Sequence, residues 1–280
     1  MQETDQELYN LYLECFPDYP IKAEWFISLL KPEAATIFRE YDGDKLVGFS
    51  MIHDNSITLL CVSKDYRNQG YGSKLLEKSQ EYIKQSGAQE IILGRGHYYL
   101  LQGVPLENEQ AVPFFEHRGY SAAWTSVNMF LPLQGYDSET IEIPPAPANV
   151  RYKLLDEQDR PQLYEAVKKV IPGWLESYQQ CTDPILIVEL DGKIAGFEIV
   201  APEGGRFIPS RDKVGSIGCV GVVPEFREHG VGMRMVLEGI KWLQKQDCAS
   251  IELLYVALVD WYKKVGFQVN QRQWMGEKKL

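Results

Sequence analysis

The amino-acid sequence predicts two α/β domains built on the same plan. The chain has 280 residues, of which 45% are apolar and 24% charged, a composition typical of folded globular proteins. At roughly 100–200 residues per domain, this length favours two domains, each able to bury its own core. Three short motifs recur in the same order in both halves, which indicates an internal repeat.

Cysteine usage and charge narrow the class of protein. The five cysteines are widely spaced and never form C-x-x-C, so we expect no zinc or other metal site, no disulfide framework, and a reducing cytoplasmic location. No signal peptide and no run of 18 apolar residues is found, so we expect no membrane span. The net charge of −10 argues against a nucleic-acid partner and makes a cationic substrate the more natural one.

The first repeated motif predicts a β-hairpin in each half. The segment YDGDKLVGF (41–49) matches LDGKIAGF (190–197), and in both an Asp-Gly pair separates two apolar stretches. Because Asp-Gly pairs accept the positive φ angles of tight hairpin turns, each segment reads as strand, turn and strand.

The second repeated motif predicts a strand, a glycine turn and a helix. The segment VSKDYRNQGYG (62–72) matches VVPEFREHGVG (222–232), and both contain R-x-x-G-x-G. An apolar strand precedes each segment and an amphipathic helix follows it. The first backbone N–H groups of such a helix are unpaired and lie at the positive end of the helix dipole. Since paired glycines let an anion approach the main chain and the Arg adds a charged donor, we expect a phosphate group to bind there.

The third repeated motif shows where the halves differ in length. The segment FEHRGY (115–120) matches YKKVGF (262–267). The offsets between the three motif pairs place extra residues within 201–216 of the second half and within 94–109 of the first. We expect both insertions to be surface loops, which either shape a pocket or are merely tolerated.

The domain limits follow from a break in periodicity. We predict a first domain at 1–134, a Pro-rich, acidic linker at 135–149, and a second domain at 150–280. The second domain opens with a strand, whereas the matching residues of the first are polar. The first domain is therefore expected to begin with a helix in place of its first strand.

The order of these elements resembles one known family. A strand, R-x-x-G-x-G, a helix, a strand, and an aromatic residue four positions before Gly-Phe or Gly-Tyr are similar to the GNAT superfamily of N-acetyltransferases, in tandem. The resemblance implies two mixed, mostly antiparallel α/β (α+β) sheets, each splayed near its middle and flanked by helices. It also implies acetyl-CoA as co-substrate, with its pyrophosphate on the Arg-Gly turn and its pantetheine along the preceding strand.

By motif position, the resemblance assigns the CoA contacts to the same segment of each half. The expected residues are Cys61, Val62, Arg67, Asn68, Gln69, Gly70, Tyr71 and Gly72 in the first half, and Gly221, Val222, Arg227, Glu228, His229, Gly230, Val231 and Gly232 in the second.

Acetyl transfer to an amine needs a neutral amine, a stabilised oxyanion and a proton for the leaving thiolate. The resemblance places a tyrosine as proton donor, which is Tyr262 in the second half, whereas the matching residue of the first half is Phe115. The second domain is therefore the expected catalytic one. The first either binds acyl-CoA without reacting or takes a proton donor from His97, Tyr98 or Tyr99 in its insertion.

The sequence does not decide which group deprotonates the amine or which amine accepts the acetyl group. Glu198, Glu203 or a chain of waters could deprotonate an acceptor that is a primary amine of a small molecule or peptide. The alternative function is a non-catalytic acyl-CoA-binding or regulatory module. Transfer of a longer acyl or an aminoacyl group by the same architecture also stays open. A tandem can bury between its halves what single-domain relatives bury in a dimer, so we expect a monomer or weak oligomer.

Overall fold

The computed structural model describes residues 3–31, 35–96, 99–143, 145, 147–207, 212–227 and 230–280. The chain divides into two compact units. Unit 1 comprises Met1–Val127, Arg206–Pro209 and Gln271–Leu280, and unit 2 comprises Asn128–Gly205 and Ser210–Asn270. Within the described ranges, no helix has the length and apolarity needed to cross a bilayer.

The N-terminal half alternates helices with short strands. Its helices are α1 (Glu3–Cys15), α2 (Ala23–Leu29), α3 (Tyr71–Gln85) and α4 (Ala111–Glu116). Its strands are β1 (Thr36–Asp42), β2 (Lys45–His53), β3 (Ser56–Val62), β4 (Glu90–Leu93), β5 (Val104–Pro105) and β6 (Thr125–Pro132).

The C-terminal half has a similar order and begins with a strand. Its helices are α5 (Arg160–Val170), α6 (Leu175–Gln180), α7 (Val231–Lys245) and α8 (Val259–Lys263). Its strands are β7 (Val150–Leu154), β8 (Ile185–Leu190), β9 (Lys193–Ala201), β10 (Val214–Val222), β11 (Ser250–Val256), β12 (Gln268–Trp274) and β13 (Glu277–Lys279).

Both sheets are mixed, mostly antiparallel and splayed, as the sequence predicts. The first has the order β1-β2-β3-β4-β13 and the second the order β5-β12-β6-β11-β10-β9-β8-β7. The parallel pair β3 and β4 is in register only at Ser56 and Ile57. The parallel pair β10 and β11 is in register only over Val214–Ser216, although both strands continue beyond it. The β10–β11 pair therefore opens into a V-shaped gap. In the first sheet β3 continues to Val62 after β4 has ended at Leu93, which leaves a gap beside the second half of β3.

The boundaries between the compact units differ from a simple cut at the linker. One falls inside β6 after Val127 and another inside β12 before Gln271, so β13 belongs to unit 1. There β13 pairs antiparallel with β4, and Lys278 lies opposite Ile91. The N–H of Leu93 also donates to the Gly276 carbonyl at 2.9 Å. The last strand of the chain thus covers an edge of β4 that would otherwise be open.

The insertions are only partly the surface loops that the sequence predicted, because some of their described apolar side chains are buried. In the first, Leu100 and Leu101 are buried and pack in unit 1. In the second, Phe207 is buried against the edge of Tyr19 with 5.0 Å between the ring centroids. The apolar residues of these stretches could have predicted their burial, but the neighbouring glycines and prolines favoured a surface loop.

Matching core positions of the two units contain different side-chain pairs. In unit 1 the buried hydroxyls of Ser50 on β2 and Ser79 on α3 are hydrogen-bonded at 2.8 Å. The repeat aligns these residues with Glu198 on β9 and Gly239 on α7. The Glu198 carboxylate lies against Gly239, where a Cβ would collide with it. A large residue on the strand thus accompanies a glycine on the helix.

Glu198 is buried without a hydrogen-bond partner for either carboxylate oxygen among the described residues. Burial raises its pKa well above the ordinary value, because the charged form has lost its solvation. The carboxyl group is therefore expected to stay protonated in the folded protein under conditions where it ionises in the unfolded chain.

Replacing Lys278 with Pro tests the contribution of β13. Proline removes the backbone N–H and clashes within a paired strand, so we expect Lys278→Pro to lower the free energy of unfolding by about 1–3 kcal/mol. Urea denaturation measures this change in the free energy of unfolding. The control Lys278→Ala keeps the backbone and loses only the side chain, whose Nζ lies 5.7 Å from the centre of the Tyr120 ring. Equal losses for the two variants would contradict a role for the strand pairing.

The pH dependence of stability tests the protonation of Glu198. Because folding raises its pKa, its favourable contribution is complete below the unfolded value of 4.5 and is lost as the pH rises toward the folded value. Relative to Glu198→Gln, the wild type should lose up to about 1.4 kcal/mol per pH unit in that window. Urea denaturation at a series of pH values measures this. The exposed Glu203, replaced by Gln, is the control, and a pH-independent difference for Glu198→Gln would refute the prediction.

Candidate functional site

The two Arg-Gly turns place glycines where no other residue fits easily. Gly70 caps α3 with φ of 89°, and Gly230 caps α7 with φ of 69°. Neither cap has a side-chain hydrogen bond, and the first turn of each helix lacks acidic residues. The uncapped N–H groups and the positive end of each helix dipole can therefore receive an anion.

The arginine of each turn holds the turn against the preceding strand. Arg67 Nε donates to the Val62 carbonyl at 3.1 Å, and Arg227 Nε donates to the Val222 carbonyl at 3.2 Å. The sequence predicted only a donor to the anion. The matching bonds show that each Arg also stabilises the bend.

The second cleft, in unit 2, lies where β10 and β11 diverge and has a volume of about 790 Å³. It contains the turn, the end of β10 and one face of α8. Its walls are Val170, Ile171, Trp174, Ile217, Gly218, Cys219, Val220, Gly221, Val222, Phe226, Arg227, Gly230, Val231, Gly232, Met233, Leu253, Leu254, Tyr255, Val256, Ala257, Leu258, Trp261 and Tyr262.

A β-bulge in β10 lies inside this cleft. The pairing of β10 with β9 skips Cys219 and Val220, and Cys219 has a φ of 50°. The hydroxyl of buried Tyr178 on α6 donates to the Cys219 carbonyl at 2.6 Å and so supports this unusual backbone. A bulge turns main-chain groups away from the ladder, where N–H groups can face a ligand. No motif in the sequence pointed to Tyr178.

Cys219 itself is not a nucleophile at neutral pH. Burial raises the pKa of its thiol to about 11, so the sulfur stays protonated. Its contribution to the cleft is therefore the shape of its backbone.

Tyr262 lies in the second cleft together with the bulge and the turn. Its ring packs edge-on against Trp261 at 4.8 Å and Phe267 at 6.0 Å between centroids. Its hydroxyl has no hydrogen-bond partner among the described residues. Burial raises the pKa of this phenol above its ordinary value, so Tyr262 is neutral and keeps a proton to donate.

The first cleft, in unit 1, has a volume of about 380 Å³ and contains the other Arg-Gly turn. Arg118 adds a second cation beside Arg67, held by bonds of 2.8 Å to the Phe114 carbonyl and to Ser73 Oγ. The counterpart of Arg118 in the second half is Val265. The lining residues are Cys15, Phe16, Leu60, Val62, Arg67, Asn68, Gly70, Gly72, Ser73, Asn108, Gln110, Ala111, Phe114, Phe115 and Arg118.

The space beside β3 and the end of β4, which we call the first gap, contains a chamber of only about 60 Å³. Leu101 and Gly103 of the insertion line it together with Leu93 of β4. Phe115, in the place of Tyr262, borders both the chamber and the cleft and has no proton to donate. In β3, the register shift falls at Thr58, whereas the counterparts of Cys219 and Val220 pair regularly. The first unit therefore keeps the turn but has its bulge at a different position, a smaller gap and no phenol at the place of Tyr262.

The remaining predicted residues divide between the clefts and other places. Cys61 is buried beside the first cleft, and Gln69 and Tyr71 lie on the turn outside the lining. Glu228 and His229 lie outside the described residues, as do His97 and Tyr98.

Neither predicted base lines the second cleft. Glu198 is buried under α7, and Glu203 is exposed, with its carboxylate 3.9 Å from Lys213 Nζ. Tyr99 is half exposed. Among the described residues, no group of three or more His, Cys, Asp and Glu side chains could hold a metal ion.

The second cleft combines three groups on one continuous wall. The turn can bind a diphosphate, the bulge can present N–H donors to a developing oxyanion, and Tyr262 can protonate a leaving group. This arrangement suits acyl transfer from a phosphate-bearing carrier.

Solved structures share this fold along almost the whole chain. A glucosamine N-acetyltransferase region of a fungal multi-domain GH3 β-N-acetylglucosaminidase superposes with a TM-score of 0.81 at 19% identity, covering 98% of this chain and 37% of the other. A tandem GNAT protein from the clavulanic acid biosynthesis pathway gives 0.73 at 14% identity, covering 99% and 96%. A GCN5-related N-acetyltransferase from Sphaerobacter thermophilus gives 0.73 at 18% identity, covering 98% and 91%.

Similarity to curated proteins is local. Mycothiol acetyltransferase of Corynebacterium efficiens is 29% identical over 122 residues, which are 39% of this chain and 38% of that protein. N-alpha-acetyltransferase 30 of Schizosaccharomyces pombe is 36% identical over 64 residues, which are 23% of this chain and 37% of that protein. The matches thus span less than two fifths of either relative.

A family model matches both halves of the chain. It covers residues 5–120 and 151–267 and therefore includes both Arg-Gly turns and both closing motifs. The repeated motifs, the two splayed sheets and this match agree, and the chain belongs to the acetyltransferase (GNAT) family.

Proposed function

We propose that this protein transfers an acetyl group from acetyl-CoA to a primary amine of a small molecule or peptide, and that unit 2 catalyses the reaction. The observation that carries this proposal is the presence of Tyr262, the Cys219–Val220 bulge and the Arg-Gly turn in one open cleft. The cysteines are free thiols, which supports the proposed cytoplasmic location.

The turn binds the pyrophosphate of the donor. The N–H groups at the start of α7 donate to the phosphate oxygens, and Gly232 fits there because a Cβ would lie 2.9 Å from Val222 Cγ2. The helix dipole adds about 0.3–1 kcal/mol at such an exposed position. With the diphosphate held there, the pantetheine extends along β10 and brings the thioester to the bulge.

The chemical step needs few protein groups. The lone pair of a neutral amine attacks the thioester carbonyl carbon and forms the C–N bond, while bulge N–H groups stabilise the oxyanion. Collapse of this intermediate breaks the C–S bond, and the CoA thiolate takes the proton of Tyr262. The phenolate then regains a proton from the former amine nitrogen. A thiolate whose thiol has a pKa of about 8.5 leaves readily, so one hydroxyl suffices.

Unit 1 supports the alternative function, acyl-CoA binding without transfer. Its turn and its two arginines, Arg67 and Arg118, favour an anionic ligand. Phe115 and the filled gap remove the proton donor and the space for an acceptor. We therefore assign binding to the first cleft and transfer to the second, in a protein that we expect to be a monomer or weak oligomer.

Replacing Tyr262 with Phe tests the proposed proton donor. The ring packing is retained and the proton is lost, so kcat should fall by about 10²–10⁴-fold while the KM for acetyl-CoA changes little. Release of free thiol in the presence of an amine measures turnover. Tyr41→Phe, at an exposed tyrosine outside both clefts, is the matched control. Unchanged kcat in Tyr262→Phe at all pH values would reject the assignment.

Placing a carboxylate in each turn separates the two sites. Gly72→Asp and Gly232→Asp put a negative charge where the diphosphate is proposed to bind, and an acidic residue is otherwise favourable in the first turn of a helix. A Cβ at Gly72 meets only ordinary contacts, whereas one at Gly232 lies 2.9 Å from Val222 Cγ2, so Gly232→Ala is the control for the steric part of any loss. Calorimetry should detect two acetyl-CoA sites per wild-type chain and one in each variant, and only Gly232→Asp should lose turnover. Loss of turnover in Gly72→Asp alone would reverse the roles of the two units.

A further inference from the structure

Cys15 places a thiol in the first cleft. It is the last residue of α1 and lines the cleft together with Val62, Arg67 and Arg118. Its Sγ lies 3.5 Å from the Val62 carbonyl oxygen, which also accepts the bond from Arg67 Nε at 3.1 Å. A thiol and a guanidinium thus meet at one carbonyl, at the point where β3 ends and the Arg-Gly turn begins.

The groups around Cys15 favour its ionised form. The thiol of buried Cys61 and the Arg67 guanidinium lower the pKa of Cys15, although burial and the Glu14 carboxylate oppose this. Burial raises the pKa of Cys61, so Cys61 keeps its proton and can donate a hydrogen bond to the Cys15 sulfur. The Glu14 carboxylate accepts a bond from the Lys64 main-chain N–H at 2.7 Å. Since the thiolate is the nucleophilic form of a cysteine, Cys15 is the reactive member of this pair of cysteines.

The other cysteines have different surroundings. Burial raises the pKa of Cys181, Cys219 and Cys248, in Cys219 to about 11. All five cysteines lie in the described part of the chain, and Cys15 is the one whose surroundings lower the pKa of its thiol. The most reactive thiol of the described chain is therefore expected in the first cleft.

The position of Cys15 matters because of the ligand that the first cleft is proposed to bind. Arg67 and Arg118 place two cations beside the N–H groups of α3, which favours the diphosphate of acetyl-CoA. With the diphosphate on the turn, the pantetheine extends along β3 past Val62 and Leu60, which line the same cleft. The Cys15 sulfur is hydrogen-bonded to Val62 and therefore lies beside the path of the thioester.

We infer that unit 1 accepts an acetyl group on the Cys15 sulfur and so forms an S-acetylcysteine. This inference rests on the proposed binding of acetyl-CoA in the first cleft and adds an acceptor to it. The Cys15 thiolate, having released its proton to water, attacks the carbonyl carbon of the thioester and forms a new C–S bond. Collapse of the intermediate breaks the C–S bond to CoA, and the released CoA thiolate takes a proton from water.

This reaction suits a cleft without the phenol of unit 2. A thiolate nucleophile needs no base, and a CoA thiolate whose thiol has a pKa of about 8.5 leaves without a proton donor. Phe115, in the place of Tyr262, is therefore no obstacle. Because the acceptor is part of the chain, no space for a second substrate is needed. The features that oppose transfer to an amine in unit 1 are thus compatible with transfer to Cys15.

Incubation of the full chain with excess acetyl-CoA tests the inference. No amine is added, and a phosphine reductant replaces thiols, which would intercept the acetyl group. Peptide mass spectrometry then gives the acetylation rate of each cysteine. We expect Cys15 to be acetylated at least about tenfold faster than Cys181, which is also partly exposed. Neutral hydroxylamine should remove the acetyl group, because it cleaves thioesters.

Gly72→Asp separates transfer from a bound donor and collision with a free one. Its carboxylate opposes the diphosphate, so acetylation of Cys15 should slow by about tenfold or more. Because this carboxylate also raises the pKa of a nearby thiol, the rate of Cys15 alkylation by iodoacetamide is measured as well and should fall less. Gly173→Asp, at a glycine of unit 2 where a Cβ meets open space, is the matched control and should leave both rates unchanged.

The outcomes separate this inference from the proposed function. If calorimetry of Gly232→Asp, whose second turn is blocked, detects no acetyl-CoA site, the proposed binding in unit 1 fails and the inference falls with it. If one site is found and Cys15 stays unmodified, the binding stands and the inference is overturned. Equal slowing of acetylation and alkylation in Gly72→Asp would also overturn it, because the reaction would then depend on the thiolate alone. Acetylation of Cys181 as fast as Cys15 would do the same.

Discussion

The turn between an apolar strand and a long helix is the constraint on which both clefts depend. Gly70 and Gly230 adopt left-handed backbone conformations, so each helix begins without a side-chain cap and its N–H groups stay available. Arg67 and Arg227 then bind the carbonyl of the residue that ends the strand. The proposed anion site, the start of the helix and the end of the strand consequently all lie in one short segment.

The two Arg-Gly turns are similar, but the clefts differ because the strands that precede the turns, β3 and β10, have different neighbours. In unit 2 a bulge at Cys219–Val220, held by Tyr178, lies beside an open gap. In unit 1 the bulge moves to Thr58 and Leu101 enters the gap. Phe115 then completes an apolar wall where a phenol would have nothing to protonate. Unit 1 therefore lacks both the hydroxyl that Tyr262 has in unit 2 and the open space beside it.

The sequence predicted what is encoded locally. Short motifs predicted the Asp-Gly hairpins and the Arg-Gly turns. They also showed that Phe115 occupies the position in the first half that Tyr262 occupies in the second. The splayed sheets followed from the family resemblance. The bulge and the Tyr178 contact depend on partners about 20 residues away or more, so no local sequence pattern indicates them. The insertion at 94–109 was expected on the surface, but Leu100 and Leu101 are buried while Tyr99 and Leu106 are exposed, so the expectation holds for part of the segment only. The predicted domain limits stay a prediction, although the compact units divide inside β6 and β12.

The proposed proton donation by Tyr262 has a consequence for the protonation state of the acceptor. Tyr262 can donate a proton to the thiolate and take one back from the nitrogen of the former amine. The transfer to a neutral amine therefore needs no other proton donor or acceptor. The same cycle cannot remove the additional proton of an ammonium ion, because it returns the phenol to its starting state. In the proposed reaction the neutral form of the amine is therefore the form that can react directly.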